Sequence, residues 1–366
     1  MIVELDNHRV ALDAGALGFA LAGITRYLRS ILTVWYADDS VRFPAGFERD
    51  PSPRSVVSRP LSQIRRLISQ TMADGARAFF DAPDVYWGPA HRLPLILPKN
   101  IGSVVTVHDL CWRHAPETMR PASRLLDSML MGRSVDRADR VIAVSQSTAD
   151  DIVSLWPKAQ DKIRITPLAG SLPVVPGAAG PLSERFFRQY FLFVGTFEPR
   201  KNLSRLLQAY AIAGARDPNW PALVLCGARG WGGVDPRAES QKLGIEAQVK
   251  FVKEASDEVL ARLYRDAICL VMPSLYEGFG LPIVESMTQG RPVLTSNCWS
   301  MPEVAGEGGL FVDPLSVSAI AEGLRVMAKD DRLREAFADN AVKRAKHFSW
   351  LKTANATKDI LLNAAR

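Results

Sequence analysis

AICLVMPSLYEGFGLPIVESMTQGRPVLTS, residues 267–296, carries the reading of the fold. AICLVMPS (267–274) is an uncharged apolar run of strand length. A loop with two glycines follows. LPIVESMTQ (281–289) then predicts a helix, with Pro282 in the first turn, where a missing N–H costs nothing. PVLTS (292–296) predicts the next strand. Strand, helix and strand in this order form a βαβ unit. Strands that are apolar on both faces belong to a parallel sheet covered by helices.

The same alternation extends outward. QYFLFVG (189–195), PALVLCG (221–227) and QVKFV (248–252) predict strands. NLSRLLQAYAIA (202–213) and a stretch from Ser256 to Asp266 predict helices, and 315–366 reads as helical with breaks near 329–331 and 347–349. Upstream, DVYWG (84–88), SVVTVHDL (103–110), RVIAVS (140–145) and KIRITP (162–167) predict a second series of strands. Ser147 is expected to cap a helix over TADDIVSLW, with Asp150 in its first turn. The two series are separated by LAGSLPVVPGAAGPLSER (168–185), rich in Pro, Gly and Ala and without a hydrophobic period. The expected fold class is therefore α/β, with two Rossmann-like, doubly wound parallel-sheet domains facing across a cleft. The expected boundaries are 1–170, a linker at 171–185, and 186–348, with a C-terminal helix at about 349–366 packing back on the first domain. Open α/β sheets bind ligands just beyond the carboxyl ends of their strands, so the loops after each strand hold the candidate site.

Composition narrows the function. The chain has 366 residues, 47% hydrophobic and 23% charged, which excludes a disordered or fibrous protein. Its net charge of +6 divides evenly, +3 over 1–180 (21 Lys/Arg against 18 Asp/Glu) and +3 over 181–366 (24 against 21). Neither half is a polycation, so no nucleic-acid partner is expected. Cys111, Cys226, Cys269 and Cys298 stand far apart, without a CxxC pair or His/Cys cluster, and no DxD string occurs, so no metal site is expected. Charges interrupt the N-terminus and no 18-residue apolar run exists, which predicts a cytoplasmic chain without a spanning helix. A nicotinamide oxidoreductase needs GxGxxG after a strand, and the nearest string, Gly227-Ala228-Arg229-Gly230, fails the spacing.

Two strand-end loops carry candidate chemistry. In the first, Gly278, Phe279 and Gly280 lead into the helix, and the N–H groups of Gly280 and Leu281 offer an anion site suited to a diphosphate. Glu277 and Glu285 bracket it, and a carboxylate matches a vicinal diol. In the second, Gly195-Thr196-Phe197-Glu198-Pro199-Arg200-Lys201-Asn202, the adjacent cations suit a departing diphosphate. Taken singly, each of these residues is as readily a solvated surface group.

The E-x7-E segment, GTFEPRKNL and TSNCWSMPEVAGEGGLFVDP (295–314) together resemble the retaining nucleotide-sugar-dependent glycosyltransferases of family 4, which have the GT-B fold. VVTVHDL and RVIAVSQSTADDI are similar to the mannosyltransferase-like members. The resemblance covers roughly 100–350. It implies that Glu285 binds the nucleotide ribose, that Glu277 contacts the donor sugar, and that Arg200 and Lys201 hold the diphosphate with help from Gly280 and Leu281. It implies that His108, ending an apolar strand, lies near the donor sugar, with Asp109 ordering its loop. It further implies a metal-independent transfer with retention, without a cofactor. GDP-mannose is favoured as donor over a UDP-hexose, and a glycan or lipid-linked glycan is the acceptor, in polysaccharide biosynthesis. A UDP-sugar 2-epimerase of the same fold and a non-catalytic sugar-nucleotide-binding protein stay open.

The sequence departs from the family at three places. The N-terminal loop, commonly GGIGRY, here reads Ala22-Gly23-Ile24-Thr25-Arg26-Tyr27, so of its glycines only Gly23 is kept for a donor phosphate. A glycine common after the strand at 248–252 is replaced by Lys253-Glu254. The segment 38–80 matches no family pattern. Within it Leu61, Ile64, Ile68 and Met72 recur at helical spacing beside Arg59, Arg65 and Arg66. Such a helix at about 59–72 either packs its apolar stripe on the first domain or lies on an anionic membrane surface, on the inner face of the cytoplasmic membrane.

Overall fold

A computed structural model of the chain describes residues 1–13, 23–44, 81–174, 189–214, 217, 219–253 and 255–366. The stretch 59–72, Ala22 and residues 175–185 of the expected linker lie outside the described residues. The chain forms two compact units. One comprises Met1–Arg113, Pro121–Leu168 and Ser349–Arg366; the other comprises His114–Arg120 and Ala169–Phe348. Among the described residues no helix is long and apolar enough to cross a membrane.

The first unit is built on a seven-stranded sheet. Its strands are β1 (Ile2–Leu5), β2 (His8–Leu12), β3 (Val41–Arg42), β4 (Val85–Gly88), β5 (Gly102–Val107), β6 (Arg140–Ala143) and β7 (Ile163–Ile165), in the order β3-β1-β2-β4-β5-β6-β7. From β2 to β7 the pairing is parallel, as the apolar runs predict. At the other edge it is antiparallel, because β1 and β2 form a hairpin and β3 joins β1. The hairpin loop is Asp6-Asn7, both with positive φ (46° and 68°). That is the two-residue turn whose twist matches paired strands, and short Asx side chains tolerate it. This antiparallel edge extends the parallel sheet that the apolar runs predict. Helix α1 (Gly23–Tyr36) buries Tyr27, Leu28, Ile31, Leu32 and Trp35. The Trp35 indole donates to the carbonyl of Ala354 in the C-terminal helix (Trp350–Leu362), which belongs to this unit. Helix α2 spans Pro121–Arg137 and α3 spans Gln146–Leu155. The cap of α3 is Ser145, not the expected Ser147: the extended chain leaving β6 puts the Ser145 Oγ where it accepts the Thr148 N–H at 3.0 Å.

The second unit holds β8 (Tyr190–Val194), β9 (Ala222–Cys226), β10 (Val249–Val252), β11 (Leu270–Met272), β12 (Val293–Ser296) and β13 (Gly309–Val312). All pair in parallel, in the order β10-β9-β8-β11-β12-β13. Counted from β8 this is 3-2-1-4-5-6, the doubly wound order. The helices are α4 (Leu203–Ala213), α5 (Pro236–Lys242), α6 (Asp257–Asp266), α7 (Leu281–Thr288), α8 (Ser300–Ala305), α9 (Val317–Lys329) and α10 (Asp331–Ala345). The core on one face of the sheet joins Phe191, Phe193, Leu223, Leu225 and Leu294 to Leu206, Leu207 and Tyr210 of α4 and to Ile320 and Leu324 of α9. Capping sets the starts: Ser256 Oγ accepts from Val259, Ser316 from Ala319, and Asp330 from Leu333.

The strand order reverses between β8 and β11. Neighbouring connections there leave to opposite faces of the sheet, which opens a crevice at the carboxyl ends of the two strands. The loops that follow these strands are Gly195–Asn202 and Pro273–Gly280, the two segments that carry the candidate residues.

Candidate active site

The loop after β8 begins with Gly195 and packs on the loop after β9. A Cβ on Gly227 would stand 1.9 Å from the Gly195 carbonyl oxygen, so only glycine fits there. The chain then makes a single 3-10 turn at Pro199–Lys201 and enters α4 through Asn202, which is left-handed (φ 60°). Asn202 is buried, and its amide donates to the carbonyls of Pro273 (2.9 Å) and Pro314 (2.7 Å). The Leu275 N–H donates to the Arg200 carbonyl at 2.9 Å. The two loops are thus tied through their backbones, and the side chains between them are held in register.

Arg200, Lys201 and Glu277 meet at this seam. Arg200 Nη1 donates to Glu277 Oε2 at 2.5 Å and to the Tyr276 carbonyl at 3.0 Å. Lys201 Nζ donates to the other carboxylate oxygen, Oε1, at 2.6 Å. Glu277 is 7% exposed and Lys201 8%, so these charges are out of water. Burial works to raise the Glu277 pKa, but the Arg200 and Lys201 charges outweigh it and hold the carboxyl at about 2. A fourth charged group completes the cluster. Glu198 is 3% exposed, and its Oε1 accepts from Arg200 Nε at 3.1 Å and Nη2 at 2.9 Å. Burial raises the Glu198 pKa above the ordinary carboxylate value, against the opposing pull of Arg200. Glu198 was not among the residues singled out from sequence. Its place in GTFEPRKN is visible there, but its partner is set by the 3-10 turn that folds it back on Arg200.

The Glu277 loop is fixed from behind. Ser300 Oγ, at the start of α8, is within hydrogen-bond distance of the carbonyls of Glu277 (2.8 Å) and Phe279 (3.0 Å). Tyr276 joins a three-ring cluster: His114 stacks on it at 5.4 Å, Trp299 meets it edge-on at 5.0 Å, and His114 and Trp299 touch each other at 4.6 Å. The Trp299 indole donates to the Leu275 carbonyl. Gly278 and Phe279 are buried, with Phe279 edge-on to Phe348.

Gly280 is left-handed (φ 101°) and sits just before α7, which no side chain caps. The Leu281 N–H is therefore among the first-turn donors that helix geometry leaves without an internal acceptor, at the positive end of the helix. Glu285 is one turn further on. It is 2% exposed, and its Oε2 accepts the Tyr264 hydroxyl of α6 at 2.9 Å. A surface role for Glu277 or Glu285 is excluded by these burials.

His108 and Gly23 belong to the first unit. Gly23 opens α1 and is exposed. His108 follows β5, is buried, and packs edge-on against Tyr27 at 4.8 Å. Its Nε2 lies 2.8 Å from the Pro89 carbonyl, which can only accept, so Nε2 carries the hydrogen and Nδ1 the lone pair. Burial, reinforced by neighbouring His91, pushes its pKa down to about 3. His108 is a neutral hydrogen-bonding group. The structure thus gathers Arg200, Lys201, Glu277, Gly278, Phe279, Gly280, Leu281 and Glu285 in one unit and His108 and Gly23 in the other. Among the described residues no group of three or more His, Cys, Asp or Glu side chains is placed to hold a metal ion.

Residues 28–169 match the model of Glycosyltransferase Family 4, and residues 187–344 match Glycosyl transferases group 1. The chain is 36% identical over 286 residues to O-antigen chain mannosyltransferase B of Escherichia coli, covering 75% of this chain and 74% of that protein. This chain is a family 4 glycosyltransferase. The glycosyltransferase is also 28% identical over 277 residues to D-inositol 3-phosphate glycosyltransferase of Corynebacterium glutamicum, covering 72% of this chain and 65% of the relative's length. Among solved structures it is similar to sucrose-phosphate synthase from Thermosynechococcus elongatus, with TM-score 0.74, 20% identity and coverage of 97% and 98% of the two chains. It is likewise similar to WaaG, a glycosyltransferase involved in lipopolysaccharide biosynthesis, with TM-score 0.73, 20% identity and coverage of 96% and 99%. These likenesses, with the two parallel α/β sheets, give the glycosyltransferase the GT-B fold.

Proposed function

We propose that this glycosyltransferase moves a hexose, with mannose favoured, from a nucleotide-sugar donor to a hydroxyl of a glycan or lipid-linked glycan, in the cytoplasm and with retention at the anomeric carbon. The observation that carries the reading is the pair of cations, Lys201 buried and Arg200 half-buried, at the strand-order reversal of the second unit, beside the open N-terminus of α7. The bond that breaks joins the anomeric carbon to the diphosphate, and its electrons leave with the diphosphate. Arg200, Lys201 and the first-turn N–H groups at Gly280 and Leu281 meet that developing charge. The acceptor oxygen forms the new bond, and its proton passes to the departing phosphate oxygen. Glu277 orients both cations and is the candidate contact to the donor sugar. Glu285, braced by Tyr264, is the candidate ribose ligand. His108 offers a neutral ring with a lone pair on Nδ1, suited to hydrogen-bonding a sugar hydroxyl. Gly23 is the candidate close approach to a donor phosphate in the first unit. The 36% identity to an O-antigen chain mannosyltransferase supports GDP-mannose over UDP-hexoses and a polysaccharide acceptor.

Donor identity is tested by thermal shift with GDP-mannose, UDP-glucose, UDP-galactose and UDP-GlcNAc, where only a ligand of the native state raises Tm. The site is tested by Arg200→Ala and Glu277→Ala, assayed separately for donor turnover with and without acceptor. Unchanged turnover in both variants refutes the assignment. Turnover without acceptor that matches turnover with it points to the epimerase instead.

A further inference from the structure

The charges at the seam cancel. Arg200 and Lys201 are the cations, Glu198 and Glu277 the carboxylates, and Arg200 bridges the two acids. A nucleotide-sugar diphosphate brings two further negative charges into this buried, neutral cluster. Resting on the reading of Arg200 and Lys201 as the diphosphate cradle, we propose that Glu198 takes up one proton from solvent when the donor binds.

Geometry selects Glu198 over Glu277. Glu277 engages both cations, one through each oxygen. Glu198 engages Arg200 alone, through one oxygen. When Arg200 turns toward a phosphate, Glu198 keeps its burial and loses its one hydrogen-bonded counter-charge, while Lys201 stays engaged by Glu277. An uncompensated buried carboxylate is strongly disfavoured, and the group neutralises instead. The charged groups facing Glu198 are Arg200 and Lys201 on its own segment and Glu277 from the loop after β11. The loop after β9 also runs alongside, where exposed Arg229 bridges to Phe197 by its backbone. Glu198 already sits on the raised side of the carboxylate range, so the added negative charge has only to complete the shift. Donor binding and a proton are thereby linked, and protonated Glu198 releases the Arg200 guanidinium to the diphosphate.

The test is isothermal titration calorimetry of GDP-mannose into the full chain, in buffers of differing ionisation enthalpy at pH 7 and 8. UDP-glucose replaces it if that is the donor which raises Tm. A nucleotide sugar is used because its two phosphates do not titrate in this range, unlike the terminal phosphate of a free nucleotide. The wild type is expected to take up close to one proton per donor bound, and its affinity to fall by up to about tenfold per unit rise in pH. Glu198→Gln mimics the protonated form. It is expected to take up no proton, to lose the pH slope, and to bind at pH 8 at least as tightly as the wild type; a merely structural role for Glu198 would instead weaken binding at both pH values. Zero uptake by the wild type overturns the proposal without reference to any variant. Uptake that persists in Glu198→Gln also overturns it. Unaltered donor affinity in Arg200→Ala overturns the cradle itself, whereas reduced affinity there with zero wild-type uptake leaves the cradle standing and removes only the proton.

Discussion

Replacing Glu277 by Gln keeps the shape of the side chain and removes the charge that holds two cations. The cost follows from the structure. The Glu277 carboxyl lies at about 2, against 4.5 for an unperturbed glutamate. That difference of about 2.5 units corresponds to about 3 kcal/mol of folding stability at 1.36 kcal/mol per unit. Removing one partner of a buried ion pair costs about 3–5 kcal/mol, an independent figure of the same size. The sign is set by a pKa depressed in the folded state: the contribution is complete above the unfolded value of 4.5 and lost as pH falls through about 2. The gap between wild type and Glu277→Gln should therefore be flat from pH 8 to 5.5, at about 3 kcal/mol, and shrink to about half of that at pH 3. The assay is urea unfolding followed by circular dichroism, with the transition of the second unit read separately by hydrogen exchange, since two units need not unfold together. A gap below about 1 kcal/mol at pH 7, or one that does not change between pH 7 and pH 3, would refute the reasoning.

Further outcomes are expected elsewhere. Tyr264→Phe removes a 2.9 Å hydrogen bond to buried Glu285 and should cost about 1–2 kcal/mol in unfolding experiments, together with weaker nucleotide binding if Glu285 holds the ribose. Gly227→Ala would force a Cβ to 1.9 Å from the Gly195 carbonyl, so loss of soluble folded protein or a drop in stability of more than about 3 kcal/mol is expected. His108, at about 3, should show no NMR titration of its ring between pH 9 and 5; because its folded value lies below the ordinary 6.5, its contribution to stability is complete above 6.5 and is lost as pH falls toward 3. Ser300→Ala frees the carbonyls of Glu277 and Phe279 and should lower kcat more than it raises KM, since it loosens the loop that orients the cations.

The second unit was readable from its residues to a large degree. Four of its first five strands, all but β10, are short apolar runs closed by Gly, Pro or Ser, and such runs report burial on both faces without any partner being known. The helix after Ser256 and the turn into α7 at Gly280-Leu281-Pro282 announce themselves by local chemistry, because caps and prolines act within one turn. In the first unit one cap differs from the sequence reading and one turn lies outside it. Helix α3 starts two residues earlier than a cap at Ser147 implies, so Ser145 takes the cap, and the Asp6-Asn7 hairpin turn gives the sheet an antiparallel edge.

The sequence alone determined which residue types stand at the strand ends: adjacent cations after β8, and a glycine-bearing loop with spaced glutamates after β11. It could not determine that these loops are neighbours. They lie more than seventy residues apart, and only the sheet order, with β8 beside β11, brings Arg200 within 2.5 Å of Glu277. The protonation states were also decided by tertiary packing. Burial moves Glu198 and His108 away from their ordinary values, while Glu277 is moved against its burial by the charges of Arg200 and Lys201, and neither influence exists until the chain has folded.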